Sequence, residues 1–311
     1  MSEDVERIGI VGAGLMGHGI ALQFALCGYH VMLNDVEEGR LSEAMENVEK
    51  NLEVLSDLGL ADQEDGTKVT SRIHTNTSLE ESMAEVDFVV EAVFEDMPLK
   101  LQVFEALDRC CPERTVLTSN TSSFMTSQLA PATNRPGKVL VANWWNPPYL
   151  LPLIEVVRGP ETSDEALDIT TGLFRKIGKR PVVLQKESLG FIGNRMQFAL
   201  LREALSIVSQ GIASPEDVDA VVTSSFGRRL AVAGPLEVFD MAGWDTILHI
   251  IDQLFPVIDS TEDSPALIKD MVERGDFGVK SGKGFYNWDD EAVSALRERV
   301  GKTLATLEQI S

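Results

Sequence analysis

The chain has 311 residues, 44% of them hydrophobic, and a formal charge of −22 from 49 Asp and Glu against 27 Lys and Arg. That length holds one large or two ordinary domains. The charge argues against nucleic acid or an anionic membrane as a partner, and no apolar run is long enough to span a bilayer. Cys27, Cys110 and Cys111 have no metal-ligand spacing, and three thiols in a chain of this size fit a reducing, cytoplasmic location. The opening MSEDVE is acidic and leads directly into the first strand, so no signal or transit peptide is expected. A carboxylate-rich surface suits a high-salt cytoplasm or an acidic mesophile, and composition leaves both open.

The first element is the β-branched run IGIV at 8–11, followed at once by GAGLMG at 12–17 and an apolar helical pattern carrying Ile20 and Phe24. Gly12, Gly14 and Gly17 have the G-x-G-x-x-G spacing of a dinucleotide turn. The first glycine permits the tight turn, the second lets backbone approach a pyrophosphate, and the third lets helix pack on strand. Leu15 and Met16 lie in the same loop, where a helix N-terminus offers unpaired N–H groups to phosphate. A second strand over 29–34 ends in Asp35, about 20 residues on, where a carboxylate can take the adenosine ribose hydroxyls. Asp35 also selects NAD over NADP, because it repels a 2′-phosphate and neither Asn34 nor Val36 can compensate.

A helix is predicted over 37–60 from the spacing of Leu41, Ala44, Val48, Leu52 and Leu55, closing at Gly59. A short strand around Ile73 and a helix over 79–84 follow. A buried strand over 87–93 then runs into Phe94, Glu95 and Asp96. Pro98 opens the next helix, which Cys110 and Cys111 end before Pro112. Strands over 115–119, 138–142, 153–157 and 181–184 come next, with a helix over 164–178. Asn120 and Ser122 follow one strand end, 143–146 another, and Glu155 lies inside a third. Strands alternating with helices make an α/β, Rossmann-type doubly wound sheet whose crevice lies at the carboxyl ends of the strands.

Beyond Lys186 no strand pattern recurs. A long helix over 191–211, further helices opened by Pro215, Pro235 and Pro265, a glycine-punctuated loop over 277–286 and a terminal helix from Glu291 read as an all-α domain. The expected division is 1–186 for the NAD-binding domain and 187–311 for a helical substrate and dimerisation domain, with a homodimer as the assembly.

Read in order, NTSS at 120–123, WWNPP at 144–148, PLIEVV at 152–157, GFIGNR at 190–195 and KSGKGFY at 280–286 resemble the L-3-hydroxyacyl-CoA dehydrogenases. They also resemble that family's relatives acting on free hydroxy acids, and the lambda-crystallins. The resemblance implies hydride transfer between NAD and a secondary alcohol. It also implies a serine, a histidine, a glutamate and an asparagine around the substrate hydroxyl. These fall on Ser122, Asn143, Glu155 and Asn194. It further implies cofactor contacts at Glu95, Lys100, Asn146 and Lys280, beside Asn120.

Position 143 departs from the family pattern. An imidazole takes the hydroxyl proton because its pKa lies near the working pH and a carboxylate can hold one tautomer. An amide donates and accepts hydrogen bonds but takes no proton. Three readings stand: a deliberate His-to-Asn change that keeps shape and removes turnover, a natural variant using Glu155, water or an ionised substrate group, or a crystallin-like protein that binds dinucleotide without turnover.

The substrate is a compact hydroxy acid or a hydroxyacyl-CoA thioester. The acidic helix around Lys50 favours the free acid. Trp144 and Trp145 read either as stacking rings or as one buried and one lining ring. Arg228 and Arg229, placed between helices, read as a solvated helix end or an anion clamp. His18 reads as a packing or phosphate-adjacent residue. No metal site is expected: His30, His74 and His249 lack ligand spacing.

Overall fold

The computed structural model describes residues 5–61 and 66–310. The acidic start at 1–4, and the expectation placed on it, lie outside the described residues. Two compact units divide at Asn194 and Arg195.

The first unit is built on one eight-stranded sheet. Its strands are β1 Arg7–Val11, β2 His30–Asn34, β3 Ile73–Asn76, β4 Phe88–Glu91, β5 Val116–Ser119, β6 Val139–Trp144, β7 Leu153–Arg158 and β8 Arg180–Leu184, in the order β3-β2-β1-β4-β5-β6-β7-β8. The helices are α1 Leu15–Leu26, α2 Glu38–Asp57, α3 Gly66–Thr70, α4 Leu79–Met83, α5 Met97–Cys110, α6 Thr126–Leu129 and α7 Asp164–Lys176. The first six strands pair in parallel, as the near-continuous apolar runs require for strands covered on both faces. The glycine turn sits between β1 and α1, and α1 buries residues 17–25 against the sheet.

Strand direction departs from simple alternation at one place. β6 pairs antiparallel with β7, which pairs parallel with β8. Only residues 145–152 join β6 to β7, and a parallel return needs a crossover of a dozen or more residues. The chain therefore turns back, and the antiparallel register sets Asn143 directly opposite Glu155.

Behind this edge Trp144 packs with Phe24 and Phe174, ring centroids 5.7 and 5.4 Å away. Trp144 is the buried member of the Trp144–Trp145 pair, and its indole N–H has no partner among the described residues.

The second unit, 195–311, carries most of α8 Gly193–Ser209, then α9 Pro215–Ser224, α10 Phe226–Leu230, α11 Pro235–Ala242, α12 Trp244–Leu254, α13 Ala266–Glu273 and α14 Asp290–Ile310. Arg228 and Arg229 lie inside α10, exposed, rather than between helices. The loop over 277–287 closes with isolated bridges from Gly278 to Lys283 and Lys283 to Asn287. Few large apolar side chains of this unit are buried, among them Ile247 and Met271. Phe198, Met241, Leu248 and Phe255 stand exposed.

Candidate active site

The glycine turn is shaped for close backbone contact. Gly12 has φ +100°, and a Cβ there would meet the Ala92 carbonyl oxygen at 2.6 Å. A Cβ on Gly17 would lie 1.8 Å from the Gly12 carbonyl oxygen, so helix and turn touch backbone to backbone. Nothing lies within 4 Å of a Cβ on Gly14, which faces open space. No side chain caps the α1 N-terminus, so its first N–H groups are available to phosphate. Leu15 is 66% exposed beside it.

The Asp35 carboxylate follows β2 and accepts from the Ala13 N–H at 2.9 Å and the Glu37 N–H at 3.3 Å. It is thereby fixed beside the turn. Ala13, Gly14, Leu15 and His18 line a cavity of about 600 Å³ with Glu37, Gly39, Arg40, Glu43 and Asn47 of the α2 region. His18 is buried, its Nδ1 is 2.9 Å from the Gly14 carbonyl, and burial holds its pKa below the usual imidazole value. The donor set and the glycine cradle fit a dinucleotide.

A polar cluster links the ends of β4 and β5. Lys100, 1% exposed on α5, donates to Glu91 at 2.8 Å and lies 3.3 Å from Glu95. Glu91 also accepts from the Val93 N–H and the Ser119 hydroxyl, and burial pushes its carboxyl pKa up. Glu95 accepts from the backbone N–H groups of Ser122 and Ser123, both at 3.1 Å, and from the hydroxyls of Thr121 and Ser123. Although burial opposes it, these donors and the Lys100 ammonium hold its carboxyl below the usual range. Lys100 thus lies behind the crevice as a positioning residue for Glu91 and Glu95. Glu91 was missed by sequence reasoning. A glutamate closing the apolar run FVV, nine residues before a lysine, was its available signal.

The carboxyl ends of β5 and β6 are tied by Asn120, whose Oδ1 accepts the Trp144 N–H at 2.8 Å. Ser122 follows β5 and is exposed. On β6, Asn143 is buried and its Nδ2 donates to Glu155 Oε2 at 3.0 Å. A carboxylate only accepts, so the amide must turn its nitrogen to Glu155. Oδ1 and the second N–H remain for another partner.

Glu155, 1% exposed, accepts three further bonds: from Trp145 Nε1 at 3.3 Å, and from the Ile192 and Gly193 N–H groups at 2.8 and 2.9 Å. It therefore serves orphan donors at the start of α8, where an anion complements the helix dipole. The preceding pair, Gly190 and Phe191, holds positive φ of 74° and 51°. A Cβ on Gly193 would sit 2.2 Å from the Trp145 ring, so Gly193 is what leaves room for that ring against the turn. Asn194 is half-buried one residue later, and Asn146 is exposed after β6. Lys280 lies in the second unit, in a short turn over Val279–Ser281.

Comparison with known proteins fits this geometry. Residues 7–188 match the model of the 3-hydroxyacyl-CoA dehydrogenase NAD binding domain, and residues 190–288 match that of the C-terminal domain. The chain is 30% identical over 306 residues to a 5-formyl-3-hydroxy-2-methylpyridine 4-carboxylate 5-dehydrogenase of Mesorhizobium japonicum, covering 98% of both. It is 35% identical over 290 residues to a probable 3-hydroxybutyryl-CoA dehydrogenase of Bacillus subtilis, covering 93% of this chain and 99% of the relative. A solved structure of a dehydrogenase with the former name, described as an NAD+-dependent dismutase, superposes with a TM-score of 0.91 at 30% identity, covering 99% of this chain and 98% of that one. With its glycine cradle, its Glu155 dyad and both domains matched, the chain belongs to the 3-hydroxyacyl-CoA dehydrogenase family and takes NAD as its cofactor.

Proposed function

We propose that this chain is an NAD-dependent dehydrogenase of a compact hydroxy acid, working through Ser122, Asn143, Glu155 and Asn194. The observation that carries the reading is the Glu155 cradle, complete with four donors although the residue at 143 is an amide. Bound NAD+ supplies the hydride acceptor. The Asn143 amide copies the hydrogen-bond pattern of a neutral imidazole, donating to Glu155 and presenting an acceptor to the substrate hydroxyl. It orients the alcohol without removing its proton. Glu155, with both oxygens engaged by donors, anchors Asn143 and the α8 turn rather than acting as the base. Ser122 and Asn194 supply further hydrogen bonds to the substrate oxygen. The proton leaves to water or to an ionised substrate group, a route about 10²–10⁴-fold slower than transfer to a positioned base.

The free acid is preferred over a thioester on charge. Along α2, Arg40 and Lys50 stand against Glu38, Glu43, Glu46, Glu49, Glu53 and Asp57, and Lys50 already lies 3.7 Å from Glu46. A coenzyme A tail, itself a polyanion, would meet repulsion there. The apolar side chains exposed on the second unit support a homodimer. The thiol content and the absence among the described residues of a membrane-crossing helix are consistent with a cytoplasmic protein.

The test compares NADH formation by the native chain and Asn143→His across hydroxy acids and hydroxyacyl-CoA thioesters. The expected result is a rate gain of about 10²–10⁴ for the His variant with a free acid. If no substrate yields NADH with Asn143→His, the protein binds without turnover and the enzyme reading fails. If thioesters alone react, the free-acid assignment fails.

A further inference from the structure

We propose that Arg40, held by Glu37 and stacked on Phe94, sets which dinucleotide this protein accepts. The inference rests on the NAD reading of the site. Phe94 follows β4 at the carboxyl edge of the sheet and is 68% exposed. An aromatic ring left in water there has no packing role, but it offers a stacking face. The Arg40 guanidinium covers that face, 5.1 Å from the ring centroid, within cation–π range. Its Nε lies 3.4 Å from Glu37 Oε2.

Arg40 is the one Lys or Arg among the described residues lining the cavity beside the glycine turn. The other charged groups there are Glu37 and Glu43, with Asp35 fixed between the turn and the Glu37 backbone. Arg40 therefore stands where the adenosine end of the dinucleotide belongs, five positions after the ribose-binding carboxylate. A guanidinium stacked on Phe94 extends that ring into a platform on which adenine can stack, and it can also pair with a 2′-phosphate. Glu37 decides between these roles. It engages the guanidinium, so that only the stacking role remains. Discrimination against NADP thus belongs to the Glu37–Arg40 pair as well as to Asp35.

Fluorescence titration of NADH and NADPH into the full chain tests this without requiring turnover. The native chain prefers NADH. Glu37→Gln tightens NADPH about tenfold and leaves NADH within about twofold, since a released guanidinium gains a charge-assisted bond. In the Glu37→Gln, Arg40→Gln double variant that gain disappears. Phe94→Leu weakens both nucleotides about tenfold by removing the stacking face. An NADPH affinity unmoved by Glu37→Gln, or a gain that survives in the double variant, overturns the proposal. A native chain that binds neither nucleotide overturns the dinucleotide reading itself.

Discussion

Lys100→Met removes the cation paired with Glu91 and Glu95 and leaves the buried Glu91 without an ion-pair partner among the described residues. The ammonium and Glu91 are 1% and 0% exposed and 2.8 Å apart. Removing one member of such a pair costs about 3–5 kcal/mol, because the remaining charge stays desolvated. At about 2–4 °C per kcal/mol for a unit of this size, the expected fall in Tm is roughly 6–20 °C. The penalty must also depend on pH. Burial already raises the Glu91 pKa in the folded state, and loss of Lys100 raises it further. A group whose folded pKa is raised stabilises the fold at low pH, and that contribution is lost as pH rises through the folded value. The deficit of Lys100→Met against the native chain is therefore largest at pH 8 and shrinks towards pH 5. Thermal unfolding of both proteins across that range, followed by circular dichroism, is the assay. A deficit below about 1 kcal/mol at pH 8, the ordinary worth of an exposed pair, would show that Lys100 and Glu91 do not act as a buried ion pair. So would a deficit that grows on acidification.

Gly17→Ala places a Cβ 1.8 Å from the Gly12 carbonyl oxygen, so NAD affinity should fall by at least tenfold, read by calorimetry; unchanged affinity contradicts the cradle. Gly193→Ala drives a Cβ into the Trp145 ring, and the expected result is loss of at least ten-fold in the activity of an Asn143→His background, with NAD affinity retained. Glu95 has a lowered pKa, so its contribution is complete above the ordinary carboxylate value and fades as pH falls through the folded one. Protection of the Ser122 and Ser123 amides, taken relative to their intrinsic exchange rates, should fall as pH drops below the ordinary carboxylate range, and Glu95→Gln should remove that pH step.

Much of the site could be read before any coordinates. Gly12, Gly14 and Gly17 sit in a fixed spacing because backbone meets backbone at Gly12 and Gly17, while Gly14 leaves open space for the approach of a pyrophosphate. Asp35 follows from the length of one strand–helix–strand unit. Asn143 and Glu155 could be paired through the family pattern, but not through strand alternation, which names elements without giving their direction. Direction came from the brevity of 145–152, which forbids a crossover and lays the two residues side by side. Glu91 stayed hidden because its burial depends on Lys100, a partner one helix turn into the following element. In the second unit α10 is only five residues long, and α12 opens at Trp244 without the proline that marks the starts of α9, α11 and α13. Arg40 was passed over for a similar reason: its role depends on Phe94, more than fifty residues later.

In the proposed mechanism, NAD lies on the glycine turn with its reactive end at the Asn143–Glu155 edge. Isothermal titration of NAD+ into the native chain, with and without the saturating hydroxy acid identified through Asn143→His, tests it most directly. One NAD+ per chain is expected, bound more tightly when the acid is present, because both ligands meet at that edge. No heat of binding, or an NAD+ affinity indifferent to the acid, would contradict it.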